Sequence, residues 1–159
     1  QANSATSTGL EWIASGGGGI SFNEIVRKTS DQSESGTTPV SDTELKLAIG
    51  VSKTFIFQFD VILHETSTGD IKESVTAPTN AIGGWSASNS NTNTGDTANF
   101  GDIQFSSNST DTMLLHHIGG WCTTDASNSG DIQFQFSKRS GAGATVSITG
   151  GMGWSADVT

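Results

Sequence analysis

With 159 residues the chain has room for one domain around one core, and its formal net charge of −9, from seven Lys and Arg against sixteen Asp and Glu, sets its mean field against phosphate backbones and anionic lipid. Nucleic acid and membrane surfaces are disfavoured as partners, and no apolar run reaches the roughly 20 residues of a spanning helix, so the composition predicts a soluble chain. Although only 33% of the residues are hydrophobic, they are bunched into runs between stretches rich in Gly, Ser, Thr, Asn and Asp, which predicts strands joined by polar loops.

In chain order, Leu10, Trp12 and Ile13 form a short apolar cluster followed by Gly16, Gly17, Gly18 and Gly19. Consecutive glycines make a flexible joint, so residues 1–19 read as an N-terminal assembly arm hinged to a body spanning 20–159. Ile20 to Val26 predicts a first strand, and Thr29 to Val40 a polar loop broken by Pro39. Glu44 to Ile49 alternates, with Leu45, Leu47 and Ile49 on one face, and Ser52-Lys53 turns the chain. The clearest element is Thr54 to His64, where Phe55, Phe57, Phe59, Val61 and Leu63 fall at the strand period and Ile56, Gln58, Asp60, Ile62 and His64 face the other way.

Three segments then look alike: Gly69-Asp70-Ile71, Gly101-Asp102-Ile103 and Gly130-Asp131-Ile132, each a Gly-Asp turn feeding an alternating strand and read as a hairpin start. Gly83 to Asn99 reads as an Asn/Ser/Thr-rich loop, Thr112 to Thr123 as an apolar run interrupted by Gly119-Gly120, and Ala144 to Thr149 and Gly153 to Thr159 as two closing strands. About nine short strands with frequent turns predict an all-β fold, an antiparallel β-sandwich of jelly-roll type with a flexible N-terminal arm.

Chemistry is hard to find. There is no G-x-S-x-G elbow, and the single Cys122 sits in a strand-like run, where it reads as a buried thiol. His116 and His117 are adjacent, so on a strand they point to opposite faces and do not chelate one ion. Asp70, Asp102 and Asp131 occupy equivalent places in the Gly-Asp turns and are weak candidates for a cation site if the turns converge, although Asp is also a good turn residue. The carboxylates Glu11, Glu24, Glu34, Glu44, Glu65 and Glu73 read mostly as loop or polar-face residues, with none marked as a pair. No cofactor, metal or catalytic residue is expected. Trp85, Trp121 and Trp154 each flank glycines and are candidate ligand or interface aromatics.

The stretch Ser41 to Pro78 resembles a pattern found in tailed-bacteriophage virion proteins, through Asp42, Leu45, Leu47, Phe55, Phe57, Phe59, Asp70, Ile71, Lys72, Thr76, Ala77 and Pro78. The tail Gly130 to Val158 is similar to the closing hairpin of the same proteins, departing from it at Ser137-Lys138 and at Gly151 to Trp154. The resemblance implies a β-sandwich on the virion surface, a head decoration (cement) or tail-associated subunit assembled in the host cytoplasm. It implies a homo-oligomer, commonly a trimer, partnered by the major capsid protein or another virion protein, and it carries over no catalytic residue. The alternative expectation is a carbohydrate- or receptor-binding, lectin-like module that takes glycans on its tryptophans.

Overall fold

A computed structural model describes residues 21–66, 70–89, 99–107, 113–139 and 144–159, and every regular element among them is a strand. The order is β1 (Ser21–Arg27), β2 (Gln32–Glu34), β3 (Val40–Ile49), β4 (Thr54–Glu65), β5 (Asp70–Thr76), β6 (Ile82–Asn89), β7 (Ile103–Ser107), β8 (Met113–Thr123), β9 (Gly130–Lys138) and β10 (Val146–Asp157). The larger sheet runs β1-β10-β4-β8-β6, with β2 pairing the start of β10, and the smaller runs β3-β9-β5-β7. All pairings are antiparallel.

From β2 onward each strand lies in the opposite sheet from the one before it. With β2 and β6 set aside, this is the double Greek key of a jelly roll, and it is the β-sandwich that the alternating pattern predicts. It also corrects the hairpin reading of the Gly-Asp segments. No two consecutive strands from β3 to β10 pair with each other; the Gly-Asp segments instead open β5, β7 and β9, all in the smaller sheet.

The core is made by the inward phase of each strand. Phe55, Phe57, Phe59, Val61 and Leu63 of β4 face Leu45, Leu47 and Ile49 of β3, Ile71 and Val75 of β5, and Ile132, Phe134 and Phe136 of β9, all buried. The rings of Phe59 and Phe134 meet at 6.2 Å between centroids, tilted by 41°, one of the offset geometries that aromatic quadrupoles favour. At the rim, Lys28 just after β1 reaches Asp42 of β3 at 2.7 Å with both side chains buried, and the other Asp42 oxygen accepts the Glu44 and Leu45 amides. One ion pair thus ties an edge of the larger sheet to an edge of the smaller.

Three elements differ from the sequence reading. The segment read as a loop from Gly83 contains β6, because Trp85 and Ala87 alternate inward and pair the strand along β8; the Gly-Gly start and polar outward residues masked that period. The polar loop after Thr29 contains the three-residue β2. The two closing strands are one 12-residue strand, carried past Gly150-Gly151 by an irregularity in register between Ile148 and Gly150. The arm residues Leu10, Trp12, Ile13 and Gly16 to Gly19, together with Glu11, lie outside the described residues.

Candidate functional site

Strand register maps the outward face of the larger sheet row by row. Phe22, Ala156, Ile56, Trp121 and Gly84 form one row across β1, β10, β4, β8 and β6. The next holds Ile25, Trp154, Gln58, Gly119 and Ser86, and the third Arg27, Met152, Asp60, His117 and Ser88. Below these lie Gly150, Ile62 and Leu115, then His64 and Met113.

This face is unusual for an outward one. Of the eleven large apolar side chains exposed among the described residues, eight stand on it: Phe22, Ile25, Ile62, Ile82, Met113, Leu115, Trp121 and Met152. Between β1 and β8 they frame an open groove of about 420 Å³ whose lining includes Ile25, Arg27, Asp60, Ile62, Leu115 and Met152. The face carries Arg27 and Asp60 as its only Lys, Arg, Asp or Glu among the described residues, so it is formally neutral in a chain of net charge −9.

At the centre of the apolar ring sits a polar cluster. His117 Nδ1 lies 2.5 Å from Asp60 Oδ1, and Gln58 Nε2 donates to both Asp60 oxygens at 2.8 Å. A carboxylate only accepts, so Nδ1 carries the proton and the other ring nitrogen is left facing outward on a half-exposed residue.

The other histidine lies inside. His116 is fully buried, with Nδ1 2.5 Å from Glu73 Oε1 across the sandwich, and the contact is not aligned as a hydrogen bond. The adjacent histidines are therefore split between the core and the surface as strand alternation requires. Glu65 and Glu73 correct the sequence reading: both are buried rather than on loops or polar faces. The signal was in the period, since Glu65 continues the phase of Phe55 to Leu63 and Glu73 falls between Ile71 and Val75.

The tryptophans separate. Trp85 is buried, 1% exposed, with its indole N–H donating to the Asn99 carbonyl at 3.0 Å, so it is a core residue and not a ligand platform. Trp154 is half-buried edge-to-face against Phe22 at 5.5 Å. Trp121, at 47% exposure, stands free on the face.

The Gly-Asp turns do not converge. β5 runs antiparallel to both β7 and β9, so Asp102 and Asp131 lie toward the Thr76 end of β5 while Asp70 opens the strand at the opposite end, roughly 20 Å away at strand rise. Asp102 accepts the Asn99 amide at 2.9 Å, the ordinary work of a turn aspartate, and no cluster of three metal-ligating side chains is found among the described residues. Cys122 is buried, and desolvation pushes its thiol up to about 11, which disfavours the thiolate a nucleophile needs. No protein-family model matches the chain, and no curated protein is significantly similar to it.

Proposed function

We propose that the chain is a non-enzymatic structural subunit that assembles with copies of itself through the outward face of its larger sheet, and that it serves as a decoration (cement) protein on the surface of a tailed-phage head. The observation that carries the assembly reading is the concentration of exposed apolar side chains on that one face. A face of this composition is costly to leave in water and marks an interaction site. From strand rise and spacing it measures roughly 35 by 20 Å, about 700 Å², close to the ~800 Å² per partner of a stable interface.

Charge favours a second copy as the occupant. Two chains of net charge −9 repel each other, and the approach that avoids most of that repulsion is through a neutral face. Arg27 near one edge and Asp60 near the middle offer opposite signs to a neighbouring copy. The virion assignment and the trimer rest on the resemblance of Ser41 to Pro78 and Gly130 to Val158 to phage virion proteins. In such a particle each added contact stabilises the shell by mass action.

Light scattering on the purified chain tests the assembly reading: a discrete oligomer is expected, and Ile62→Asp or Leu115→Asp should reduce it to a monomer with an unchanged circular dichroism spectrum. A wild-type monomer at micromolar concentration would sink it. Co-sedimentation with phage heads tests the cement role separately, and a discrete oligomer that binds no head would leave assembly standing and remove the virion assignment.

A further inference from the structure

We propose that the β6–β8 side of the same face is a saccharide-binding site built on Trp121. Beside Trp121 the sheet is bare: Gly84 faces it from β6, Gly119 precedes it in the outward phase of β8, and with Ser86 they bound a shallow depression of about 170 Å³. That is below the roughly 300 Å³ at which drug-sized pockets begin, so it admits a single ring, with the open sheet left for further units.

The glycine at 119 is not required by the fold. A Cβ there would meet only Phe57 O at 3.5 Å, an ordinary contact, whereas one at the neighbouring Gly120 would collide with the Gly84 carbonyl. Glycine inside a strand costs about 0.5–1 kcal/mol relative to alanine, and where packing does not demand it, it leaves room for something to approach the backbone closely. Here that space lies against an exposed indole.

The groups around the depression select the chemistry. Gln58, next to Gly119 across the β4–β8 pairing, has both amide contacts on Asp60, leaving its carbonyl oxygen as an acceptor. His117 spends Nδ1 on Asp60, so in the neutral ring the other nitrogen also accepts. Ser86 and Ser88 add hydroxyls in the adjacent strand. An acceptor-rich array beside an aromatic face fits a ligand with an apolar C–H face and many O–H donors, which describes a pyranose. Phosphate and nucleotide ligands present acceptors and negative charge to Asp60 and to a chain of net charge −9, and proline-rich peptides lack the donors.

The site lies at the β6–β8 edge of that face, outside the groove lined by Ile25, Arg27, Asp60, Ile62, Leu115 and Met152 on which self-association is centred, so different variants report on the two readings and they fail separately. A glycan array followed by calorimetric titration with cellohexaose, maltoheptaose, chitohexaose and any array hit provides the test on the full chain. Binding of at least one oligosaccharide is expected, weakened tenfold or more by Trp121→Ala and by Gly119→Val, which fills the floor. Trp154→Ala and the interface variant Ile62→Asp should leave it unchanged. Absence of any binding by the wild type overturns the proposal. So does binding that survives both Trp121→Ala and Gly119→Val; Ser86→Ala is the milder probe should either variant lower the melting temperature.

Discussion

The two sheets of this sandwich contribute mainly apolar inward faces, interrupted by Glu65 and His116 on one and Glu73 on the other, and very different outward ones. On the smaller sheet the outward phase reads Lys46 and Ala48 on β3, Asp131, Gln133 and Gln135 on β9, Lys72, the buried Ser74 and Thr76 on β5, and Ile103 on β7, a mainly polar face with one exposed large apolar side chain among the described residues. On the larger sheet the same phase holds Ile25, Ile62, Leu115, Trp121 and Met152 around one paired Asp60 and His117. Folding demands only that inward faces be apolar. The second apolar face is therefore the part of this molecule that stability alone does not explain, and it is where function is to be sought.

The comparison depends on the two sheets being held as one body, and the largest expected effect tests that. Removing Asp42 leaves the buried Lys28 ammonium with only the longer 3.5 Å contact to Glu44 and strips the Glu44 and Leu45 amides of their acceptor, so Asp42→Ala should lose about 3–5 kcal/mol in urea unfolding. A loss below ~1 kcal/mol would mean that the rim is wetter or less tightly closed than its geometry indicates.

Substitution on the two outward faces addresses the contrast directly. Ile62→Asp on the larger sheet should weaken self-association by at least ~30-fold, the loss of about 2 kcal/mol that defines an interface anchor, while Gln135→Asp on the smaller sheet should leave it unchanged. Equal effects by analytical ultracentrifugation would erase the distinction.

A third measurement separates glycines that build the sheet from those that leave it open. Gly120→Ala forces β6 and β8 apart and should cost about 1–3 kcal/mol, whereas Gly119→Ala, one residue away, should cost nothing and gain up to about 1 kcal/mol. Thermal melts of the pair decide it.

The smallest effect concerns acid. Hydrogen bonds from the Thr29 hydroxyl and the Thr29 and Ser30 amides hold Glu44 down at about 2, against an ordinary 4.5. Asp125, bonded first by the Ser127 amide and then by Asn128, and Asp157, bonded first by Lys53 and then by Thr159, are likewise lowered from 3.8 to about 2. Depressed carboxylates contribute stability that is complete above their unfolded values and lost as pH falls through the folded ones. The melting temperature should therefore decline modestly between pH 4.5 and 2, and Glu44→Gln should shallow the decline. None of the three lies on the outward face of the larger sheet, so this loss belongs to the fold and not to association. A slope unchanged in Glu44→Gln would show that these loops contribute nothing.

Much of the fold was legible in sequence because period-two burial is written locally: Phe55 to Leu63 names its own inward face without reference to any partner. The same local rule divides His116 from His117. It failed at β6, where a Gly-Gly start and outward Ser86 and Ser88 imitate a loop, and at Glu65 and Glu73, where residue type overrode phase.

What the sequence by itself determined is most of the strands, their inward aliphatic and Phe residues and an acidic composition, since alternation and net charge need no knowledge of neighbours. Only the tertiary structure decided which strands stand side by side. Pairing in a jelly roll is set by contacts distant in the chain, so the meeting of Asp60 with His117, the burial of Trp85 against the exposure of Trp121, and the gathering of apolar residues from β1, β4, β8 and β10 on one face follow from strand order. The Gly-Asp turns make the same point in reverse: alike in sequence, they are parted to opposite ends of the smaller sheet by the direction in which each strand runs.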